Sequence, residues 1–352
     1  MPLLAFYLRA IYTKEKVTGD TLMHRLNDII TETSTFQQGY LYRQGYMFAP
    51  LTQSNIYDAI VIKNPSQCQA WCPSYGFSDH TLEEHIELIN QFQLEKAIII
   101  AEDISFITQC PSLKYIKIVL ADTAVDKFDY SPLYEMPFIK YLTCVTAYGG
   151  PQEHLHTTID YSKVKGLCNI GISGKGHLNY NLVDTLEELH ISGDKIHQDL
   201  TSISNSPMLK RMWFLQCGLK TLAGIERFTN IQDLSFDYMR SLHDISHLSY
   251  VADSLRALSI ENCPKITNFS ILYDLVNLEH LHLHGKNELP SLDFVNKMKK
   301  LKTFVFSMSV QDYDLSPCLQ IPYASTYHNR KQYNLKDKDL PKILPTEPFK
   351  LQ

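Results

Sequence analysis

From residue 94 to residue 310 the chain repeats one pattern: an aliphatic anchor, two variable positions, then apolar residues alternating with polar ones. It reads LEELHISG from Leu186, LRALSIEN from Leu255, LEHLHLHG from Leu278 and LKTFVFSM from Leu301. Leu209 (LKRMWFLQ), Ile231 (IQDLSFDY) and Leu167 (LCNIGISG) open segments in the same register, and weaker copies begin at Leu94, Leu113 and Ile139. Alternation at period two predicts a short strand with one face buried. The residues between strands carry further apolar positions, such as Ile225 and Phe228, then Ile271, Leu272 and Leu275. They predict a return segment that packs behind the strands.

Successive anchors are 19, 26, 28, 19, 23, 22, 24, 23 and 23 residues apart. A single unit of this length cannot bury its apolar face alone, so about ten units must stack and share one core. The pattern L-x-x-L-x-L at this period predicts an α/β solenoid: a leucine-rich-repeat horseshoe with a parallel sheet on its concave side. Stretches such as LKTLAGIERFTNIQDL and ITNFSILYDLVNLEHL resemble bacterial leucine-rich-repeat proteins with short repeats of the internalin type. The resemblance implies fold rather than ligand. One departure is that the Asn or Cys usual at the ninth repeat position occurs only as Cys217 and Cys263, so a continuous asparagine ladder is absent.

Three regions follow: an N-terminal capping region over 1–93, the repeats over 94–310, and a C-terminal cap or folded-back tail over 311–352. A degenerate first repeat starts near Ile56, where NIYDAIVIKN resembles the strand that follows Leu94. Within 1–93, Thr81 and Glu84 form a capping box ahead of Leu82, Ile86, Leu88 and Ile89, which predicts a helix.

Stacking the strands in register aligns their outward positions into columns. One column runs Ile98, Lys117, Thr143, Gly171, His190, Trp213, Ser235, Ser259, His282, Val305. The column before it includes Tyr115, Tyr141, Glu188, Arg211, Asp233, Ala257, His280 and Thr303, and the column after it Leu215, Asp237, Glu261 and His284, with Tyr238 just beyond. The alternate histidines His280, His282 and His284 are therefore explained as the outward side of a strand whose Leu281 and Leu283 enter the core. Ten strands make a face on the order of 45 Å across, enough for a standard protein interface of ~800 Å² per partner. Trp213 beside Arg211 and Leu215 pairs the residue types enriched in interface hot spots. A rival reading places a metal, acid–base or pH-sensing site at Asp237, Glu261, His282 and His284.

Composition narrows this little. A net charge of −5 gives no basic surface for nucleic acid. Arg9 interrupts the apolar N-terminal run, so no signal peptide is read, and no run of eighteen apolar residues spans a membrane. The eight cysteines offer only the isolated pair Cys68 and Cys72, a poor zinc framework. GISGKGH (171–177) has its glycines at a repeat turn and not in a phosphate loop. The expectation is a cytoplasmic, non-enzymatic protein that needs no cofactor or metal, is monomeric when free, and binds a protein partner on the concave face. Its contact residues would be Tyr115, Tyr141, His190, Arg211, Trp213, Leu215, Asp233, Asp237, Tyr238, Glu261, His280, His282 and His284. Immunity proteins that neutralise a cognate toxin resemble it at this level. The alternatives are a secreted effector that binds a host protein, and last a His/carboxylate metal-dependent enzyme.

Overall fold

Each leucine-opened segment forms a strand, and the strands add to one another side by side. The computed structural model describes residues 35–37, 40–51, 58–63, 78–120, 128–146, 158–173, 177–203, 206–345 and 351. The chain divides into two units, residues 1–180 and residues 181–347.

The first unit contains β1 (Thr35–Gln37), β2 (Tyr40–Arg43), β3 (Tyr46–Ala49), β4 (Ala59–Ile62), α1 (Leu82–Phe92), β5 (Lys96–Ile100), β6 (Tyr115–Leu120), α2 (Ser131–Glu135), β7 (Tyr141–Thr146), β8 (Ile159–Asp160), β9 (Asn169–Ser173) and β10 (His177–Leu178). Strands β1 to β4 pair antiparallel, and β4, β5, β6, β7 and β9 then pair parallel. Gln44 and Gly45 both take positive φ (48° and 82°), the backbone a two-residue hairpin turn requires between β2 and β3. The capping box on α1 is present: Glu84 N–H donates to the Thr81 hydroxyl (3.2 Å), and Thr81 N–H donates to the Glu84 carboxylate (2.7 Å). The buried face of α1 is His85, Leu88 and Ile89. Ile86, expected inside, is only half-buried, because the face follows the i, i+3, i+4 spacing from His85.

The second unit contains β11 (Glu188–Ser192), β12 (Arg211–Leu215), β13 (Asp233–Asp237), β14 (Ala257–Glu261), β15 (His280–His284), β16 (Glu288–Leu289), β17 (Thr303–Phe306), β18 (Ser309–Val310) and β19 (Tyr323–Thr326). Strands β11, β12, β13, β14, β15, β17 and β19 form a parallel sheet in that order. The returns are 3₁₀ turns, at Ile225–Arg227, Ser246–Val251, Ser270–Tyr273, Asp293–Lys297 and Ser316–Gln320. The near-23-residue repeats leave room for a single tight turn on the back. The anchors Leu186, Ile231, Leu255 and Leu278 are fully buried, and Phe214 stacks on Phe236 at 5.8 Å in the core between them. Together, register and return turns make the chain a leucine-rich-repeat solenoid.

Two devices hold the turns. In the first, Asp (or Asn, or Ser) sits two residues before a backbone N–H that it accepts, as in Asp103–Ser105, Asp129–Ser131, Asp160–Ser162, Asp199–Thr201, Asp244–Ser246, Asn268–Ser270, Ser291–Asp293 and Asp314–Ser316. The distances lie between 2.8 and 3.2 Å. This side chain starts the return turn by satisfying a donor the turn leaves open. Hydrogen bonds from the backbone N–H and the hydroxyl of the same Ser or Thr hold the carboxyls of Asp129, Asp199, Asp244 and Asp314 below their usual range, with the hydroxyl leading at Asp199 and Asp314. Asp244→Ala should cost about 1 kcal/mol, as other side-chain caps do, read as a lower midpoint in urea.

The second device replaces the asparagine ladder. Cys217 Sγ donates to the Ile191 carbonyl (3.3 Å) and Cys263 Sγ to the Phe236 carbonyl (3.4 Å). Asn287 then reaches the carbonyls of Cys263 (3.1 Å) and Ile266 (2.7 Å). The asparagine role thus falls one residue beyond the position where the repeat register looks for it.

Beyond residue 310 the chain forms one more parallel strand, β19, and folds back on it. Asp337 accepts from the Ser325 hydroxyl, the Thr326 N–H and the Lys342 ammonium, each at 2.8 Å. Cys68, Cys72 and residues 174–176 of GISGKGH lie outside the described residues.

Candidate protein-binding face

The side chains that alternate with the buried leucines of the second unit share one face of its sheet. Register pairs Glu188, Arg211, Asp233, Ala257, His280 and Thr303 in one column. His190, Trp213, Ser235, Ser259, His282 and Val305 form the next, and Ser192, Leu215, Asp237, Glu261 and His284 the third. The columns read from the sequence are the columns of the structure.

Their availability differs. Trp213, Leu215, His190, Glu261, His282 and His284 are half-buried. Tyr238 is 42% exposed. Trp213 Nε1–H donates to Asp237 Oδ2 at 2.7 Å, and the His190 ring packs edge-on against the indole at 5.3 Å. The tryptophan is therefore held in one orientation from two sides.

Three expected contact residues, Arg211, His280 and Asp237, need correcting. The Arg211 side chain is only 14% exposed and lies between Glu188 (3.0 Å) and Asp233 (2.8 Å). Burial opposes its charge, but the two carboxylates outweigh that and raise its pKa above the usual arginine value. It is a structural ion in the sheet rather than an open anchor. His280 is buried, with its Nδ1 2.8 Å from the Thr303 hydroxyl, and burial pushes its pKa down to about 4. In the first unit, Tyr115 and Tyr141 pack against an apolar cluster that includes Val61, Ile98, Ile100 and Val119. Both are half-buried, as Trp213 is. Asp237 is itself 3% exposed and acts through the indole it holds.

The histidine strand does not assemble a metal site. His282 Nδ1 is 3.1 Å from the Ser259 hydroxyl, the rings of His282 and His284 stack at 6.1 Å, and His284 meets Tyr327 edge-on at 5.4 Å. Among the described residues no group of three or more His, Cys, Asp or Glu side chains is placed to hold a metal ion. Burial lowers the pKa of His284, which moves it away from the neutral range a sensor would use.

One feature of the face was legible and missed. The residue after each strand takes the left-handed conformation: Gly193 (φ 74°), Gln216 (54°), Tyr238 (55°), Asn262 (51°) and Gly285 (149°). The turn points the N–H of residues 193, 216, 238 and 262 at a carbonyl of the next strand, at 2.7–2.9 Å. Gly and Asn suit that backbone, and a bulky aromatic does not. Tyr327, too, was invisible from the repeat, since it comes from beyond the last recognised unit.

No protein-family model and no curated protein matches the chain. Among solved structures it is similar to an internalin (inlF) from Listeria monocytogenes, with 13% identity and a TM-score of 0.42, covering 66% of this chain and 66% of that one. It is also similar to a leucine-rich-repeat protein of Leptospira interrogans, with 14% identity and a TM-score of 0.42, covering 71% and 70%. A third is the functional domain of InlJ from Listeria monocytogenes, described as including a cysteine ladder, with 17% identity, a TM-score of 0.28 and 64% coverage of each. The match to the first spans just under two thirds of that chain's own length. The chain's own strand register carries the solenoid assignment. No helix among the described residues is long and apolar enough to cross a membrane.

Proposed function

We propose that this chain is a non-enzymatic protein-binding module, with the repeats of 94–310 capped by residues 1–93 and 311–352. The open face of the second unit would receive the partner. The observation that carries this is the pre-oriented Trp213, hydrogen-bonded to Asp237, with the exposed Tyr238 beside it at the end of β13. Trp and Tyr in such settings dominate interface energies. Within this reading the chain is a cytoplasmic immunity protein, monomeric when free, that neutralises a cognate toxin.

The test is affinity capture from the producing organism with the wild-type chain and with Trp213→Ala. Losing the indole should weaken the partner about 30-fold, since anchors of this kind contribute about 2 kcal/mol or more. Tyr238→Gly, which removes a side chain 42% exposed, serves as the second variant if Trp213→Ala melts early. Equal capture by all three chains would refute the use of this face. If the captured protein arrests growth when expressed without this chain, the immunity role stands. If fractionation finds this chain outside the cell, that role fails.

A further inference from the structure

Three features at the C-terminal ends of β12, β13 and β14 break local rules at once. Asp237 and Glu261 are register partners on adjacent strands, so two carboxylates stand side by side, an arrangement that weakens a sheet. Tyr238 occupies a left-handed backbone that Gly193, Asn262 and Gly285 take at the same place in other repeats, with Gln216 the other exception. Trp213 is a large ring that stays only partly covered on the face. Rule violations gathered in one place mark sites kept for a use.

The charge of the face is lopsided in the same direction. The outward positions of β11 to β15 carry four carboxylates (Glu188, Asp233, Asp237, Glu261) against one guanidinium (Arg211), a net of −3 with the histidines neutral. Arg211 serves the Glu188 and Asp233 end. At the other end Glu261 interacts with the Tyr238 hydroxyl and the Asn262 amide, both neutral. On its other side Glu261 has His284 as register partner, and burial outweighs the pull of Glu261 and lowers the pKa of that imidazole.

Resting on the protein-binding reading above, we infer that this face selects a basic protein segment, one of whose arginine or lysine side chains pairs with the half-buried Glu261, beside the buried Asp237. The aliphatic stem and cationic head would lie along Trp213 and Tyr238, where the ring faces attract a cation. The arriving charge relieves the Asp237–Glu261 repulsion, so the free protein is poised for this occupant and opposes an acidic one. Arginine fits best, because its planar guanidinium stacks on a ring and bonds a carboxylate together.

A random peptide library displayed against the full-length chain tests this, followed by fluorescence anisotropy of the selected peptides. The expected result is enrichment of Arg and Lys, depletion of Asp and Glu, and affinity that falls as salt rises from about 50 to 300 mM. Glu261→Gln and Tyr238→Gly should each weaken the best peptide about tenfold or more. Tyr238→Gly should melt no lower than wild type, since it relieves the left-handed strain. Neutral or acidic peptides that still depend on Trp213 and Tyr238 would overturn the basic partner and leave the binding module standing. Peptides indifferent to Glu261→Gln, Tyr238→Gly and Trp213→Ala would overturn both, and so would a library that yields no binder.

Discussion

Arg211→Met should cost the protein about 3–5 kcal/mol, the usual consequence of stranding buried carboxylates without their cation. Glu188 and Asp233 have side chains 15% and 18% exposed and lie 3.0 and 2.8 Å from the guanidinium. Water cannot readily replace Arg211 there, and the two like charges would then face each other across β12. Urea unfolding at neutral pH, with the slope unchanged, measures the loss. The triple variant Arg211→Met, Glu188→Gln, Asp233→Asn should recover most of it, because a neutral, packed replacement avoids the desolvation that a buried ion triad carries. If the single and triple variants are equally unstable, the stem packing of Arg211 matters and its charge does not. For the same reason Arg211→Glu is a poor probe of binding: it would place three carboxylates in one column and damage the sheet before any partner is tested.

The Arg211 case shows what the sequence could and could not yield. Once the leucines set the register, the column Glu188–Arg211–Asp233 follows by counting, and so do the strands from Lys96 to Phe306 and the columns of both units. Burial does not follow by counting. The period-two rule sends His280 and Trp213 to the same side, yet one is buried and the other only partly so, because exposure depends on what packs from neighbouring repeats. The opposite miss concerns local chemistry. Asp-Ile-Ser, Asp-Tyr-Ser, Asp-Leu-Thr and Asp-Leu-Ser recur at six return turns, and the series Gly193, Gln216, Tyr238, Asn262, Gly285 follows the strands at the left-handed turn. Both are short-range signals that a search for leucine spacing passes over. Tyr327, beside His284, depends on β19 and its fold-back, where no long apolar period leads.

Acidification should destabilise the wild-type protein more than His280→Gln. The imidazole is 5% exposed, with Nδ1 2.8 Å from the Thr303 hydroxyl. Burial lowers its pKa from 6.5 to about 4; Glu279 pulls the value up and Lys302, ion-paired to Glu279 at 2.6 Å, pulls it down. In the unfolded chain the ring takes its proton near pH 6.5, whereas the folded chain refuses it until about pH 4. Between those values the unfolded state binds more protons, so stability is intact above pH 6.5 and falls as pH drops toward 4. One pH unit of this imbalance is worth about 1.4 kcal/mol, so His280 should account for about 2 kcal/mol of loss by pH 5. The aspartates that start the return turns have lowered pKa values and also lose stabilisation in acid, but they are common to both proteins and cancel in the difference. Urea unfolding of wild type and His280→Gln at pH 7 and pH 5 isolates the term: the stability difference should shift by about 2 kcal/mol in favour of the variant. Parallel losses in the two proteins would mean that His280 titrates alike folded and unfolded, and that water reaches it through the sheet face.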